Sequence, residues 1–205
     1  MLRALPIKTL PIRTRRRPVV LAAAVLAAVL VVVLVTAWPG GGGNDTTTVD
    51  GNPSAVLYVA GHQPVAPEFT GTTLTGSKLS FSSYRGQVVV LNFWGSWCVP
   101  CREEAYILAA VASKYRPAGV SFLGVDVRDT TASAQAFVNQ FHVGYPSVGD
   151  PGSVITADFS NVVPIAGTPT TLVIDRAGHI AGAVFGTVTY SDLTAILARV
   201  TAKGG

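Results

Sequence analysis

Apolar positions along the chain fall into runs of different length and period, and each kind implies a different element. Val19 to Trp38 is a twenty-residue stretch without a charge, built mostly from Val, Ala and Leu. As a helix it would extend about 30 Å, enough to cross a bilayer. Val88 to Asn92 is a short β-branched and apolar run, suited to a central strand covered on both faces. After it the composition turns to helix formers, with Glu103, Glu104, Ala105, Leu108, Ala109, Ala110 and Ala112. The pattern predicts a helix from about Pro100 to Tyr115, with Pro100 in the first turn and a stop before Pro117 and Gly119. Val120 to Val125 reads as the next strand, and a β-α-β crossover makes the two strands parallel.

Shorter patterns fill the remainder. Phe69 to Thr73 and Lys78 to Phe81, separated by Leu74-Thr-Gly-Ser, read as a β-hairpin, with Ser82 to Gly86 turning into the central strand. Asp129 to Phe141 has Ala134, Phe137, Val138 and Phe141 at helical spacing, with Thr130 or Thr131 as cap. Tyr145 to Asp158 looks irregular, with a short helix at Ser153 to Phe159. Thr171 to Asp175 and Ala181 to Phe185, joined by Arg176-Ala-Gly-His, form a second hairpin, and Ser191 to Thr201 a closing helix with Leu193, Ile196, Leu197 and Val200 on one face. Pro39 to Pro53 is rich in Gly, Thr and Asn and reads as a flexible tether. From Ser54 to Pro67, Val56 to Val59 could form an edge strand. The fold class is α/β, a mixed central sheet with helices on both faces.

Charge sets the orientation. The formal net charge is +4, but Arg3, Lys8, Arg13, Arg15, Arg16 and Arg17 all precede Val19, and the remainder carries nine basic against eleven acidic side chains. No basic surface is left for nucleic acid. Basic residues before the apolar run and none after it put the N-terminus in the cytoplasm. The expected organisation is a basic cytoplasmic segment over 1–18, a transmembrane signal-anchor over 19–38, a flexible linker over 39–65 and a folded domain over 66–203 on the outer side. Secretion after signal cleavage is the alternative, since Val35-Thr36-Ala37 offers small residues to a peptidase.

The chain has two cysteines, Cys98 and Cys101, at C-x-x-C spacing where strand gives way to helix. Unsatisfied N–H groups and the dipole at a helix N-terminus favour a thiolate, the attacking form of the thiol. Cys98 is then the exposed attacker of a partner's disulfide, and Cys101, one turn deeper, resolves the mixed disulfide by attacking Cys98. A closed zinc site would need four ligands, and only His62, His142 and His179 accompany the thiols, none at metal spacing. A purely structural disulfide over so short a loop removes little chain entropy. Outside the cytoplasm, a protein stabilised by disulfides would usually carry more than two cysteines.

Gly86-Gln-Val-Val-Val-Leu-Asn-Phe-Trp-Gly-Ser-Trp-Cys-Val-Pro-Cys-Arg-Glu-Glu closely resembles the active-site segment of the TlpA/ResA branch of thioredoxin-like proteins. Gly167-Thr-Pro-Thr-Thr-Leu-Val-Ile-Asp-Arg-Ala-Gly-His-Ile resembles that family's cis-proline loop, strand and hairpin, so the likeness runs from about Ala66 to the C-terminus. The resemblance implies a thioredoxin-like fold with an added N-terminal hairpin and an inserted strand-helix unit. It implies a thiol–disulfide oxidoreductase whose redox centre is the cysteine pair itself, with no cofactor or metal. Trp97, Val99, Pro100, Thr168 and Pro169 would form the substrate-binding surface, with Pro169 cis and the Thr168 backbone free to pair with a substrate strand. Glu104 falls where this branch carries an acid near the active site and would exchange a proton with Cys101. The competing reading makes it a solvated helix-face charge, as suits Glu103. Asn92 replaces the buried aspartate of plain thioredoxin, and an amide does not shuttle protons.

The same resemblance points to reduction of protein disulfides, with apocytochrome c thiols as substrate and a membrane electron carrier of the CcdA/DsbD type as reductant. A disulfide-forming oxidant of the DsbE kind stays open, because direction depends on potential. So does a non-catalytic metallochaperone on the same fold, although copper chaperones of the Sco type use C-x-x-x-C. No P-x-x-x-T-x-x-C pattern of a peroxiredoxin surrounds either cysteine.

Overall fold

The computed structural model describes residues 45–202, so the expected segments 1–18 and 19–38, and residues 39–44 and 203–205, lie outside the described residues. Among those described, no helix is long and apolar enough to cross a membrane. In chain order the elements are β1 (Thr46–Val49), β2 (Asn52–Tyr58), β3 (Thr70–Thr72), β4 (Lys78–Ser80), β5 (Val88–Trp94), α1 (Val99–Tyr115), β6 (Val120–Val127), α2 (Thr131–Gln140), β7 (Ser147–Asp150), α3 (Val154–Ser160), β8 (Thr170–Ile174), β9 (Ile180–Phe185) and α4 (Tyr190–Ala202).

Seven strands form one sheet in the order β1-β2-β9-β8-β5-β6-β7, while β3 and β4 make a separate hairpin. The crossovers through α1 and α2 make β5, β6 and β7 parallel. The other neighbours are antiparallel. Every residue of β5 is buried, which is why its sequence is apolar at every position but Asn92 rather than alternating. Val88 and Val90 pack towards Leu108 and Val111 of α1 and Ile196 and Leu197 of α4. Val89, Leu91 and Phe93 face the opposite layer, where Phe69, Phe81 and Phe159 interlock ring to ring. Asn92 and Trp94, in phase with Val88 and Val90, are thereby directed to the α1 side.

Two expectations are corrected. The linker proposed for 39–65 does not extend through residues 46–58, because β1 and β2 are part of the sheet. Asp50 and Gly51, at φ 48° and 77°, form the two-residue turn between them, a conformation that Asp-Gly accepts readily. Val49 and Ala55 are fully buried in the α4 core, and Asn52 donates to Asp192 of α4 at 3.0 Å. Tyr145 to Asp158 is not wholly irregular, since Ser147–Asp150 pairs with β6. Four residues containing a glycine are too short to register as a strand from pattern alone, and the pairing comes from the neighbouring strand.

Candidate active site

The connection from β5 to α1 is Gly95-Ser-Trp-Cys. Cys98 is the N-cap of α1, in extended conformation, and its Sγ accepts a hydrogen bond from the Cys101 amide at 3.2 Å. The two cysteines are joined as a disulfide, with their Cα atoms 5.3 Å apart. Expected as the exposed member, Cys98 is only 3 % exposed, against 1 % for Cys101. Cys98 belongs to a buried cluster with Leu74, Trp94, Cys101 and Phe137, while its chain neighbours Trp97 and Val99 are 48 % and 64 % exposed and Pro100 is half-buried.

The loop is held from three sides. The Ser96 amide donates to Asp129 Oδ2 at 2.7 Å, and its carbonyl accepts from Arg102 Nη2 at 2.8 Å. Trp97 Nε1 donates to the Val127 carbonyl at 3.0 Å, and the Arg128 guanidinium lies 5.8 Å from the centre of the indole. Gly95 leaves room for the indole in this place, because a Cβ would stand 2.6 Å from Trp97 Nε1.

Glu104 is not a solvated helix-face charge. It is fully buried, with Oε1 accepting from Asn92 Nδ2 at 2.9 Å and Oε2 from the Val188 amide at 2.8 Å. Burial pushes its carboxyl up from 4.5 to about 7, against the lowering effect of those two hydrogen bonds. Glu103, by contrast, is exposed. Asn92 also donates to Thr171 Oγ1 at 3.0 Å, and it lines a cavity of about 10 Å³ together with Cys101, Ala105 and Tyr145. Asn92 thus touches both Glu104 and the space beside Cys101.

The Thr168–Pro169 peptide is cis. Pro169 is buried, its carbonyl accepts from the Gly186 amide at 3.0 Å, and Thr168 is half-buried. Thr170, the first residue of β8, pairs with Phe93 near the end of β5, so the proline loop and the cysteine loop leave the sheet at the same end. Among the described residues no group of three or more His, Cys, Asp or Glu side chains could hold a metal ion.

With this geometry in view, likeness to known proteins becomes specific. Residues 63–183 match the model of the AhpC/TSA family. The chain belongs to that family. Thiol-disulfide oxidoreductase ResA of Bacillus thuringiensis is 33 % identical over 136 residues, 66 % of this chain and 76 % of that protein. Among solved structures, a secreted thiol-disulfide isomerase from Corynebacterium glutamicum aligns with TM-score 0.68 and 31 % identity, covering 76 % of this chain and 96 % of that one. A DsbF homologue from Corynebacterium diphtheriae aligns with TM-score 0.66 and 33 % identity over 75 % and 97 %. The protein is a thiol–disulfide oxidoreductase of thioredoxin-like fold, as the two sequence segments implied.

The structure of this oxidoreductase gathers Cys98, Cys101, Trp97, Val99 and Pro100 at the start of α1, with Glu104 one turn below them. Pattern reasoning passed over Asp126 and Asp129. Asp126 is 2 % exposed within a strand whose neighbouring residues, Phe122 to Val127, are all buried, and an acid inside such a run was the available signal. Asp129 gave none, since a polar residue before a helix ordinarily reads as part of a cap. Val188 could not have been found, because it contributes only its backbone N–H.

Proposed function

We propose that this oxidoreductase reduces disulfides in protein substrates outside the cytoplasm, with Cys98 as attacker and Cys101 as resolver. The observation that carries the role assignment is the Cys101 amide directed at Cys98 Sγ at the helix N-terminus, since the same donor would stabilise a Cys98 thiolate. The reduced Cys98 thiolate attacks one sulfur of the substrate disulfide, the S–S bond breaks, and the displaced substrate thiolate takes up a proton. Cys101 gives its proton to Glu104 and attacks Cys98 Sγ, which expels the second substrate thiolate and leaves the Cys98–Cys101 disulfide. Two electrons pass to the substrate.

A carboxyl poised at about 7 both accepts and returns a proton near neutral pH, which suits Glu104 to this exchange. Trp97, Val99 and Pro100 contact the bound protein, and the Thr168 backbone beside Pro169 pairs with an extended substrate segment. Apocytochrome c thiols are the proposed substrate, and a membrane thiol carrier of the CcdA/DsbD type restores the dithiol. An outer location is supported by the uncharged run Val19 to Trp38 behind its arginine cluster and by the description of the Corynebacterium glutamicum relative as secreted.

Trapping tests the roles. Cys101→Ser accumulates mixed disulfides between Cys98 and partner proteins in cells, resolved by reductant on gels and identified by mass spectrometry, whereas Cys98→Ser accumulates almost none. Equal trapping by both variants would overturn the assignment. Apocytochrome c among the captured partners supports the substrate proposal, and its absence from cells making cytochrome c removes it.

A further inference from the structure

Between β5 and α1 the chain leaves the interior for two residues only. Gly95 and Cys98 are buried, Ser96 is half-buried, and Trp97 is 48 % exposed. Both ends of this excursion are fixed without help from the residues between them. Gly95 follows the buried end of β5, and its carbonyl accepts from the Cys98 amide at 3.1 Å. Cys98 packs in the cluster of Leu74, Trp94 and Phe137, with the Cys101 amide on its Sγ. Ser96 and Trp97 belong to none of the buried clusters, so their position depends on polar contacts.

Most of those contacts come from one connection, Val127 to Thr130, between β6 and α2. The Val127 carbonyl accepts from the Trp97 indole N–H at 3.0 Å, the Arg128 guanidinium lies 5.8 Å from the centre of the indole, and Asp129 Oδ2 accepts from the Ser96 amide at 2.7 Å. Arg102 on α1 donates to the Ser96 carbonyl through Nε at 3.2 Å and Nη2 at 2.8 Å. The Ser96 residue is thus gripped by a carboxylate at its N–H and by a guanidinium at its C=O, and both bonds are charge-assisted. The connection is itself fixed. The Arg128 amide donates to the Asp150 carbonyl at 3.2 Å, Asp129 Oδ1 accepts from the Thr130 amide at 2.7 Å, and Thr130 caps α2. Arg128 holds φ 50°, a left-handed conformation that glycine adopts more readily. It has no ion-pair partner among the described residues, and the contact its guanidinium makes is with the indole.

We propose that Arg128 and Asp129, with Arg102 opposite, are positioning residues that set a preference for protein disulfides over small ones by ordering Trp97 at the rim of the site. The proposal rests on Trp97 contacting the bound protein, as in the function proposed above. A protein substrate binds more tightly to an indole already in place, because ordering that side chain on binding would cost entropy. A small disulfide makes too few contacts to draw on the rim. Cys98 is held by the helix end and the buried cluster, so its reactivity towards a small disulfide is the same whether the rim is ordered or loose. The three residues act through Ser96 and Trp97 and take no part in the thiol exchange.

The test pairs order with selectivity. Order is read from hydrogen exchange of the Trp97 indole N–H in the ¹⁵N-labelled full chain, oxidised and in detergent micelles, where three tryptophans give few indole signals to assign. Selectivity is read from single turnovers of the reduced chain, which passes two electrons either to the disulfides of insulin or to dipyridyl disulfide. Asp129→Ala should speed indole exchange roughly tenfold, as expected for losing one hydrogen bond to a charged group, and slow insulin reduction by a similar factor. Arg128→Gly should do the same by a smaller factor, and it guards against a fold defect because glycine suits φ 50°. In both variants the rate on dipyridyl disulfide stays at the wild-type value. Asp129→Asn keeps an oxygen for the Ser96 amide and should restore most of the order and the insulin rate. Glu103→Gln, exposed on the same helical turn as Arg102, should change none of the three readings. Indole exchange unchanged in Asp129→Ala and Arg128→Gly, an insulin rate that holds while exchange quickens, or a dipyridyl rate that falls in step with the insulin rate overturns the proposal. Trp97→Ala separates the two ways of failing. Where it lowers the insulin rate and the Asp129 and Arg128 variants do not, the ordering is wrong and Trp97 still serves the substrate. Where it leaves the insulin rate unchanged, the assignment of Trp97 to the substrate surface falls and takes the ordering proposal with it.

Discussion

Glu104 shows most clearly how the burial of one side chain ties stability to pH. Its folded midpoint of about 7 lies above the ordinary 4.5, so the native state binds this proton more tightly than the unfolded chain does. That stabilisation is complete below 4.5 and is lost as pH rises through the window to about 7, a change on the order of 3 kcal/mol at 1.36 kcal/mol per unit. Glu104→Gln resembles the protonated acid in size and in carrying a donor, with Asn92 turning its carbonyl towards the new amide. The melting temperatures of variant and wild type should therefore agree near about pH 5, and the variant should melt higher near about pH 8. Parallel melting curves at both pH values would mean that Glu104 stays charged in the fold. The position of the residue one turn after Cys101 was legible in the sequence. Its burial was not, because helical phase alone leaves Glu104 free to face either the pocket or the solvent, and the deciding donors, Asn92 and the Val188 amide, come from 12 and 84 residues away.

At the scale of elements, the strand-loop-helix unit from β5 to α1 was readable because its signals are local. A continuous apolar run, a proline in the first helical turn and a cysteine at the cap all act within a few residues. β7 escaped notice because its strand character depends on β6; β2 was read only in its second half, as Val56 to Val59, and β1 was missed because Gly40 to Gly43 and the threonines outweighed the Asp50-Gly51 turn signal. What local signals cannot give is how the loop within that unit is packed. Gly95→Ala would set a methyl 2.6 Å from Trp97 Nε1 and 2.8 Å from Cε2, so the half-exposed indole must swing out and give up its bond to the Val127 carbonyl. Loss of one such bond costs about 1 kcal/mol, so the fold should persist. Partner capture by Gly95→Ala in the Cys101→Ser background should nevertheless fall towards the level of Trp97→Ala, since both remove the same ordered indole from the rim. Undiminished capture would show that substrates do not use Trp97.

For the molecule as a whole, the question is where the folded unit begins. A likeness starting near Ala66 suggests that a fragment over 66–205 is sufficient, yet β2 covers the edge of β9 through pairs such as Val56 with Ala183. Removing β1 and β2 uncovers the backbone donors and acceptors of β9 and opens the α4 core where Val49 and Ala55 sat fully buried. It also removes Asn52 from Asp192 and Leu57 from the vicinity of Gly182, where β2, β9 and Ile196 of α4 approach within van der Waals distance. Each large apolar side chain of α4 and β9 left facing water forfeits about 1.5 to 3 kcal/mol. Two or three of them amount to a large share of the roughly 5 to 15 kcal/mol that holds a domain together. A fragment over 45–205 should therefore melt cooperatively as a monomer, while one over 66–205 melts well below it and self-associates through the bare β9 edge in sedimentation velocity. The cysteine loop leaves the end of β5, with β8 between that strand and β9, so the shorter fragment should still form the Cys98–Cys101 disulfide at low temperature. Equal melting temperatures and a monomeric short fragment would mean that the first two strands lie on a sheet already complete without them.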